Sequence, residues 1–241
     1  MSSVTRTVLA RELAAAFHST AFYTGLAAFF ALSAGLFFAA LQISEGTFWS
    51  LPALWVLAVA LPLPLLTILL TMPLFAGERA AGTLPLLLIL PVSLRGLLIG
   101  KFLAAYGAVL LAIPGALVPW LFLAHNLAGK LPPTAALLPA VGLLALHALS
   151  WTALGLLASI LAWRPWAAAV GTILLGGGAM LVWASLSRLV LAAPLQVPAF
   201  PLLLELLDAA AGRIALRSVV FHISFSIWCL FIGWHVLEGN R

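Results

Sequence analysis

Six continuous apolar stretches, near residues 21–42, 51–76, 102–124, 135–163, 166–191 and 218–237, decide what this chain can fold into. At about 1.5 Å per residue, each is long enough to cross about 30 Å of hydrocarbon as a helix. Inside a bilayer no water is present to satisfy the backbone, so only helices or a closed barrel can span it. Barrel strands alternate apolar and polar residues, and these runs do not. The expectation is an all-α polytopic membrane protein with six transmembrane helices in a single domain over residues 1–241. Composition closes the alternative. The chain is 65% hydrophobic and 7% charged, against about 45–50% and 25% in soluble domains. With a mean hydropathy of +1.22, a soluble domain of this size could not hide its apolar surface.

The first run is too long for the apolar core of a cleaved signal, which spans about 7–15 residues. Before it, Val8, Leu9, Leu13 and Phe17 make an apolar stripe at helical spacing, among Arg6, Arg11 and Glu12. That pattern predicts an N-terminal amphipathic helix lying on the membrane surface. Pro52, Pro62, Pro64 and Pro73 in the second stretch and Pro114 and Pro119 in the third predict kinks, because proline removes a backbone donor. Cys229 is the sole cysteine, so it has no partner within the chain for a disulfide and reads as a packing residue.

The net charge is +5, from 11 Lys and Arg against six Asp and Glu. No basic cluster is dense enough to hold nucleic acid, and the excess fits helix ends facing the cytoplasm. With both termini cytoplasmic, the inner side carries Arg6, Arg11, Arg79, Arg95, Lys101, Arg164 and Arg241. The outer side carries Lys130, Arg188, Arg213 and Arg217. Two connections stand out. Residues 77–101 hold a nine-residue apolar piece, 84–92, between Glu78/Arg79 and Arg95. Nine residues cannot span, so this piece reads as a short interfacial helix. Residues 192–217 carry Glu205, Asp208, Arg213 and Arg217 around an apolar pattern, which predicts short amphipathic helices on the outer face.

No catalytic constellation emerges. There is no HExxH, no thiolate metal set and no GxSxG elbow. His18, His125, His147, His222 and His235 show no spacing that puts two on one helix face. The six acidic residues, Glu12, Glu45, Glu78, Glu205, Asp208 and Glu238, fall at predicted ends or loops, which disfavours an ion-driven carrier with a midplane carboxylate. His147, mid-way along the fourth stretch, reads either as a core histidine or as a substrate-path contact. Residues 96–101, GLLIGK, lack one residue between the glycines and the Ser or Thr after the lysine that a phosphate loop needs. Neither ATP binding nor any cofactor is expected of this chain.

Residues 71–104 read TMPLFAGERAAGTLPLLLILPVSLRGLLIGKFLA. This resembles the permease subunits of ABC-2 type transporters. It looks closest to the gliding-motility-associated subgroup, whose pattern runs roughly TMR-F-EER-GTLELLLT-PVS and then LVLGKFLA. The start and the closing segment, AAGRIALRSVVFHISFSIWCLFIGWHVLEGNR, are similar to that subgroup as well. Pro73 stands where the subgroup often has Arg, and Pro85 where it usually has Glu. The resemblance implies a bacterial inner (plasma) membrane permease that pairs with a second permease copy or a related chain, beside an auxiliary periplasmic protein. It also implies two cytoplasmic ABC ATPase subunits, which hold the ATP and Mg. The short helix after the second span is then a coupling helix, with Glu78, Arg79, Gly82, Thr83, Leu84, Leu86 and Leu87 forming the ATPase contact. Thr83 suits its N-cap, and Pro85 its first turn.

Transport powered by a partner's ATP, in the export direction, is the leading functional expectation. The alternatives are a haem-exporter-like permease of cytochrome maturation and a non-transporting membrane scaffold of a motility or secretion machine.

Overall fold

The computed structural model describes residues 3–43, 51–89, 93–128, 134–191, 208–209 and 211–239. Every regular element among them is an α-helix: α1 (Ser3–Phe17), α2 (Thr20–Ile43), α3 (Leu51–Ala60), α4 (Leu63–Thr71), α5 (Ala76–Ala80), α6 (Leu84–Ile89), α7 (Leu94–Ala128), α8 (Thr134–Leu161), α9 (Pro165–Leu191) and α10 (Leu216–Gly239). Five stretches are long and apolar enough to cross a membrane: Thr20–Gln42, Pro52–Ala80, Leu94–Val118, Leu137–Leu161 and Leu216–Gly239. The described apolar part of α9, Pro165–Ala179, is shorter.

The helices sort into an inner and an outer set. Helices α3, α4, α7 and α8 form the centre, with Trp55, Val56, Leu63, Ile113 and Leu144 buried among them. A second cluster around Phe75, Leu97, Phe102, Leu156 and Ile160 fills the end nearest α5 and α6. Helices α2 and α10 lie outside. Helix α2 buries Phe22, Phe29, Ser33 and Phe37, one stripe at helical spacing, and exposes Leu32, Leu36 and Phe38. Helix α10 likewise exposes Ile227, Trp228 and Phe231. In a bilayer, apolar side chains exposed on a helix surface carry no solvation cost, so helices of this kind need no polar face.

The prolines act unevenly. At Pro62 the helix breaks: the N–H groups of Leu65 and Leu66 both turn to the Pro62 carbonyl, and α4 begins with Pro64 in its first turn. A second break at residues 72–75 separates α4 from α5. Helix α7, in contrast, runs unbroken through Pro114 and Pro119. It also starts at Leu94, eight residues before the span expected at 102, so Lys101 lies inside a spanning stretch.

Helix α1 is not a detached surface element. It packs along the start of α7, with Thr5 buried. A methyl group at Gly100 would sit 2.8 Å from Val8 Cβ and 3.1 Å from the Thr5 carbonyl oxygen, so the glycine sets the approach of the two helices. The outer connection expected to carry amphipathic helices lies mostly outside the described residues. Its described end is a turn at Gly212 (φ 86°), where Arg213 N–H bonds the Asp208 carbonyl at 2.9 Å.

Candidate functional site

The segment from Thr71 to Ile89 is bound into the bundle at three points. The first is Ser159 on α8. At the break between α4 and α5, the N–H groups of Phe75 and Ala76 have no helical partner. Both donate to Ser159 Oγ at 3.1 Å, and Ser159 donates to the Met72 carbonyl at 3.0 Å. One hydroxyl thus satisfies three buried backbone groups.

The second point is Arg79. Its Nη1 donates to the carbonyls of Ile160 and Ala162 at 2.7 and 2.6 Å. Those carbonyls end α8, where the helix dipole favours a cation and the last C=O groups lack helical donors. The guanidinium also lies 5.7 Å from the Trp163 ring centroid.

The third is a charged cluster between α1, α5 and α7. Lys101 Nζ donates to Glu12 Oε1 and to Glu78 Oε1, both at 2.8 Å, and its side chain is 1% exposed. Its ammonium also lies 5.4 Å from the Phe75 ring centroid. Arg11 Nη2 donates to Glu12 Oε1 at 2.6 Å and approaches Glu78 Oε1 at 3.7 Å. Two cations and two carboxylates therefore compensate one another, as charges at low dielectric must. Burial alone would raise the Glu12 carboxyl. The Lys101 charge and hydrogen bonds from Arg11 and Lys101 outweigh it and hold Glu12 below its ordinary value. A cleft of about 570 Å³ opens over the cluster, with Phe22, Leu69 and Leu74 on its apolar side.

Beyond α5 the chain turns sharply. Thr83 N–H bonds the Glu78 carbonyl at 2.9 Å and Gly82 N–H the Arg79 carbonyl at 3.1 Å. With Gly82 at φ 71°, this is a glycine-terminated helix end of the Schellman type. The expected cap at Thr83 takes a different form: its carbonyl accepts the first bond of α6, from Leu87 N–H, while its hydroxyl donates back to the Glu78 carbonyl at 3.1 Å. Helix α6 then buries Leu84 and Leu88, one turn apart, leaves Leu87 half-buried, and exposes Pro85, Leu86 (67%) and Ile89 (79%).

His147 is buried between α8 and α10. It accepts a hydrogen bond from Trp151 Nε1 at 3.1 Å and meets His222 edge-on, ring centroids 6.1 Å apart. His222 Nδ1 lies 2.7 Å from Ser150 Oγ. The two histidines, 75 positions apart, come together only through packing of α10 on α8. Among the described residues no group of three or more His, Cys, Asp or Glu side chains could hold a metal ion.

Residues 3–232 match the family model described as "ABC-2 family transporter protein". The chain belongs to the ABC-2 family of transporter proteins. No curated protein matches it individually. With its five spanning stretches, this ABC-2 chain is a multi-pass membrane protein and a transport permease.

Sequence reasoning about this ABC-2 permease singled out Glu78, Arg79, Gly82, Thr83, Leu84, Leu86, Leu87 and His147. The structure gathers the first seven at one end of the bundle and places His147 apart from them, in the core. It turns Glu78 and Arg79 inward, onto Lys101 and the end of α8. Four residues at these attachment points went unrecognised as site residues: Arg11, Glu12 and Lys101 of the charged cluster, and Ser159. A signal existed for Lys101. A lysine inside an apolar run needs a buried counter-charge, and the chain has only six carboxylates to choose from.

Proposed function

We propose that the chain is the membrane half of an exporter whose ATP is hydrolysed by a separate ABC ATPase, docked on α6. The supporting observation is the division of α6 into two faces. Leu84 and Leu88 anchor it to the bundle, while Pro85, Leu86 and Ile89 project outward. The segment leading into it is fastened to α1, α7 and α8 through Lys101, Arg79 and Ser159. A push on α6 would therefore reach three helices at once. Glu78 and Arg79 act as the fastening rather than as direct ATPase contacts, and the outward apolar residues supply the docking surface. On this reading two permease copies and two ATPase subunits assemble, α9 provides a sixth span, and α6 and both termini face the cytoplasm.

The test is co-purification from membranes of the native host. Leu86→Glu should lose the ABC ATPase while keeping the wild-type melting profile. Leu84→Glu, which buries a charge, should lower stability as well. In a Cys229→Ser background, Ser93→Cys should resist an impermeant thiol reagent in intact cells, and Thr134→Cys should react. An unchanged ATPase yield with Leu86→Glu, or the reverse labelling pattern, overturns the docking assignment.

A further inference from the structure

The cleft over the charged cluster sits at the level where two spans end. One apolar stretch begins at Thr20 and another closes at Ala80. Ala21 and Phe22 from the first, and Gly77 and Glu78 from the second, line the cleft. Its depth is therefore that of the lipid head groups, next to the hydrocarbon boundary. Its volume of about 570 Å³ lies within the about 300–1,000 Å³ of small-molecule sites. That room takes a polar head and the first part of an apolar chain, with the rest of the chain left in the bilayer.

The lining is apolar on one side and charged on the other. Phe22, Leu69, Leu70 and Leu74 make the apolar side, and the three leucines are only half-buried. The charged side has two groups with unused capacity. Arg11 is 57% exposed and reaches the two carboxylates through Nη2. Among the described residues its Nη1 and Nε have no partner. Glu12 accepts from Arg11 and Lys101 through Oε1. Among the described residues its Oε2 has no partner, and it stays accessible, whereas Glu78 Oε2 is sealed. The cluster as a whole is neutral, two cations against two carboxylates. It has no net attraction for an anion, and offers instead one free donor edge beside one free acceptor. A guanidinium edge matches a phosphate. A carboxylate oxygen matches an ammonium that still carries hydrogen.

We propose that the cleft binds a phospholipid with a phosphoethanolamine head. The phosphate takes the free edge of Arg11, the ammonium donates to Glu12 Oε2, and one acyl chain runs over Phe22, Leu69 and Leu74. A choline head has the same phosphate but no N–H to donate. A glycerol head has the phosphate but no cation, and brings net negative charge to a neutral cluster. The bound lipid ties α1 and α2 to α4 and α5. The site needs neither the ATPase nor a leaflet assignment, so it and the docking reading can fail separately.

The purified full chain in detergent micelles is titrated with palmitoyl-oleoyl phosphatidylethanolamine, and the lipid retained is counted by native mass spectrometry. Phosphatidylcholine and phosphatidylglycerol with the same chains are run beside it, with water-soluble glycerophosphoethanolamine as competitor. The ethanolamine lipid should be held saturably and several-fold more tightly than the other two. Glycerophosphoethanolamine, lacking the chains, should compete weakly. Arg11→Gln should weaken the ethanolamine and choline lipids alike. Glu12→Gln should weaken only the ethanolamine lipid, to the choline level. Ala15 lines the cleft on an exposed face, one turn from Arg11. Ala15→Trp fills the cleft without removing an ion pair, and should abolish saturable retention of all three lipids. Thermal melting of each variant confirms that it is folded. No preference for the ethanolamine lipid, or a preference that survives Glu12→Gln, overturns the head-group assignment. Retention unchanged by Ala15→Trp overturns the site altogether. Competition by glycerophosphoethanolamine as strong as by the lipid itself overturns the lipid in favour of a free phosphodiester.

Discussion

Lys101 Nζ lies 2.8 Å from Glu12 Oε1, joining α7 to α1 across 89 positions of sequence. The same ammonium holds Glu78 on α5, so one buried cation fixes three elements. Removing one partner of a buried ionic group leaves the others uncompensated, at about 3–5 kcal/mol. Lys101→Met should therefore lower stability by about that amount, read as a drop in melting temperature in detergent. Neutralising all three, with Glu12→Gln and Glu78→Gln added, should recover most of the loss. If the triple variant melted no higher than Lys101→Met, mutual compensation of these charges would not be what holds the cluster.

The same cluster makes a pH dependence with a definite sign. Glu12 is held below its ordinary value of 4.5, so its ionised form is favoured by folding. The stability this supplies is fully present above pH 4.5 and is lost as pH falls through the lower folded-state value. Thermal stability followed downward from neutral pH should show this loss only in the acid limb. Glu12→Gln should flatten that part of the profile. An unchanged acid limb in the variant would show that Glu12 does not carry it.

Ser159 offers a contrast between two buried hydroxyls on one helix. Its Oγ serves Phe75 N–H, Ala76 N–H and the Met72 carbonyl. Thr152 Oγ1 donates only to the Ala148 carbonyl, one turn back on α8. Each buried backbone group left unpaired costs about 1–3 kcal/mol. Ser159→Ala should thus destabilise by several times as much as Thr152→Ala, for which about 1 kcal/mol or less is expected. Equal melting temperatures would mean that the break after α4 is satisfied some other way.

The difference between these two hydroxyls shows which features of the fold are legible in sequence and which are not. Spans are legible because apolar length alone determines them: stretches were expected near 21–42, 135–163 and 218–237, and spans lie at Thr20–Gln42, Leu137–Leu161 and Leu216–Gly239. The start of α6 was legible only in part: Thr83 was expected to cap it, and its carbonyl does accept the first α6 bond, but its hydroxyl donates back to the Glu78 carbonyl instead of capping the helix. Glu12, Lys101 and Ser159 were not legible, because their partners lie 89, 23 and more than 80 positions away. His147 and His222 met for the same reason, through packing of α10 on α8. Helical periodicity predicts which face a residue occupies, and it is silent about which helix comes to lie against that face.

Gly82 carries the last prediction. A Cβ there would meet nothing within 4 Å, so space does not demand glycine; its φ of 71° does. For an L-residue that conformation costs roughly 1–2 kcal/mol, and least for Asn and Asp. The penalty falls on the turn that aims α6, while the buried contacts of Ser159, Arg79 and Lys101 stay in place. Gly82→Val should therefore leave the bundle folded, with only a small drop in melting temperature. It should weaken ATPase co-purification, since about 1.4 kcal/mol spent on re-forming the turn is a tenfold loss of affinity. Gly82→Asn should lie between Val and wild type. If all three bound the ATPase equally and melted alike, the orientation of α6 set by this turn would have no part in docking. If Gly82→Val unfolded the bundle, the turn would be structural to the whole domain rather than a local pointer for one short helix.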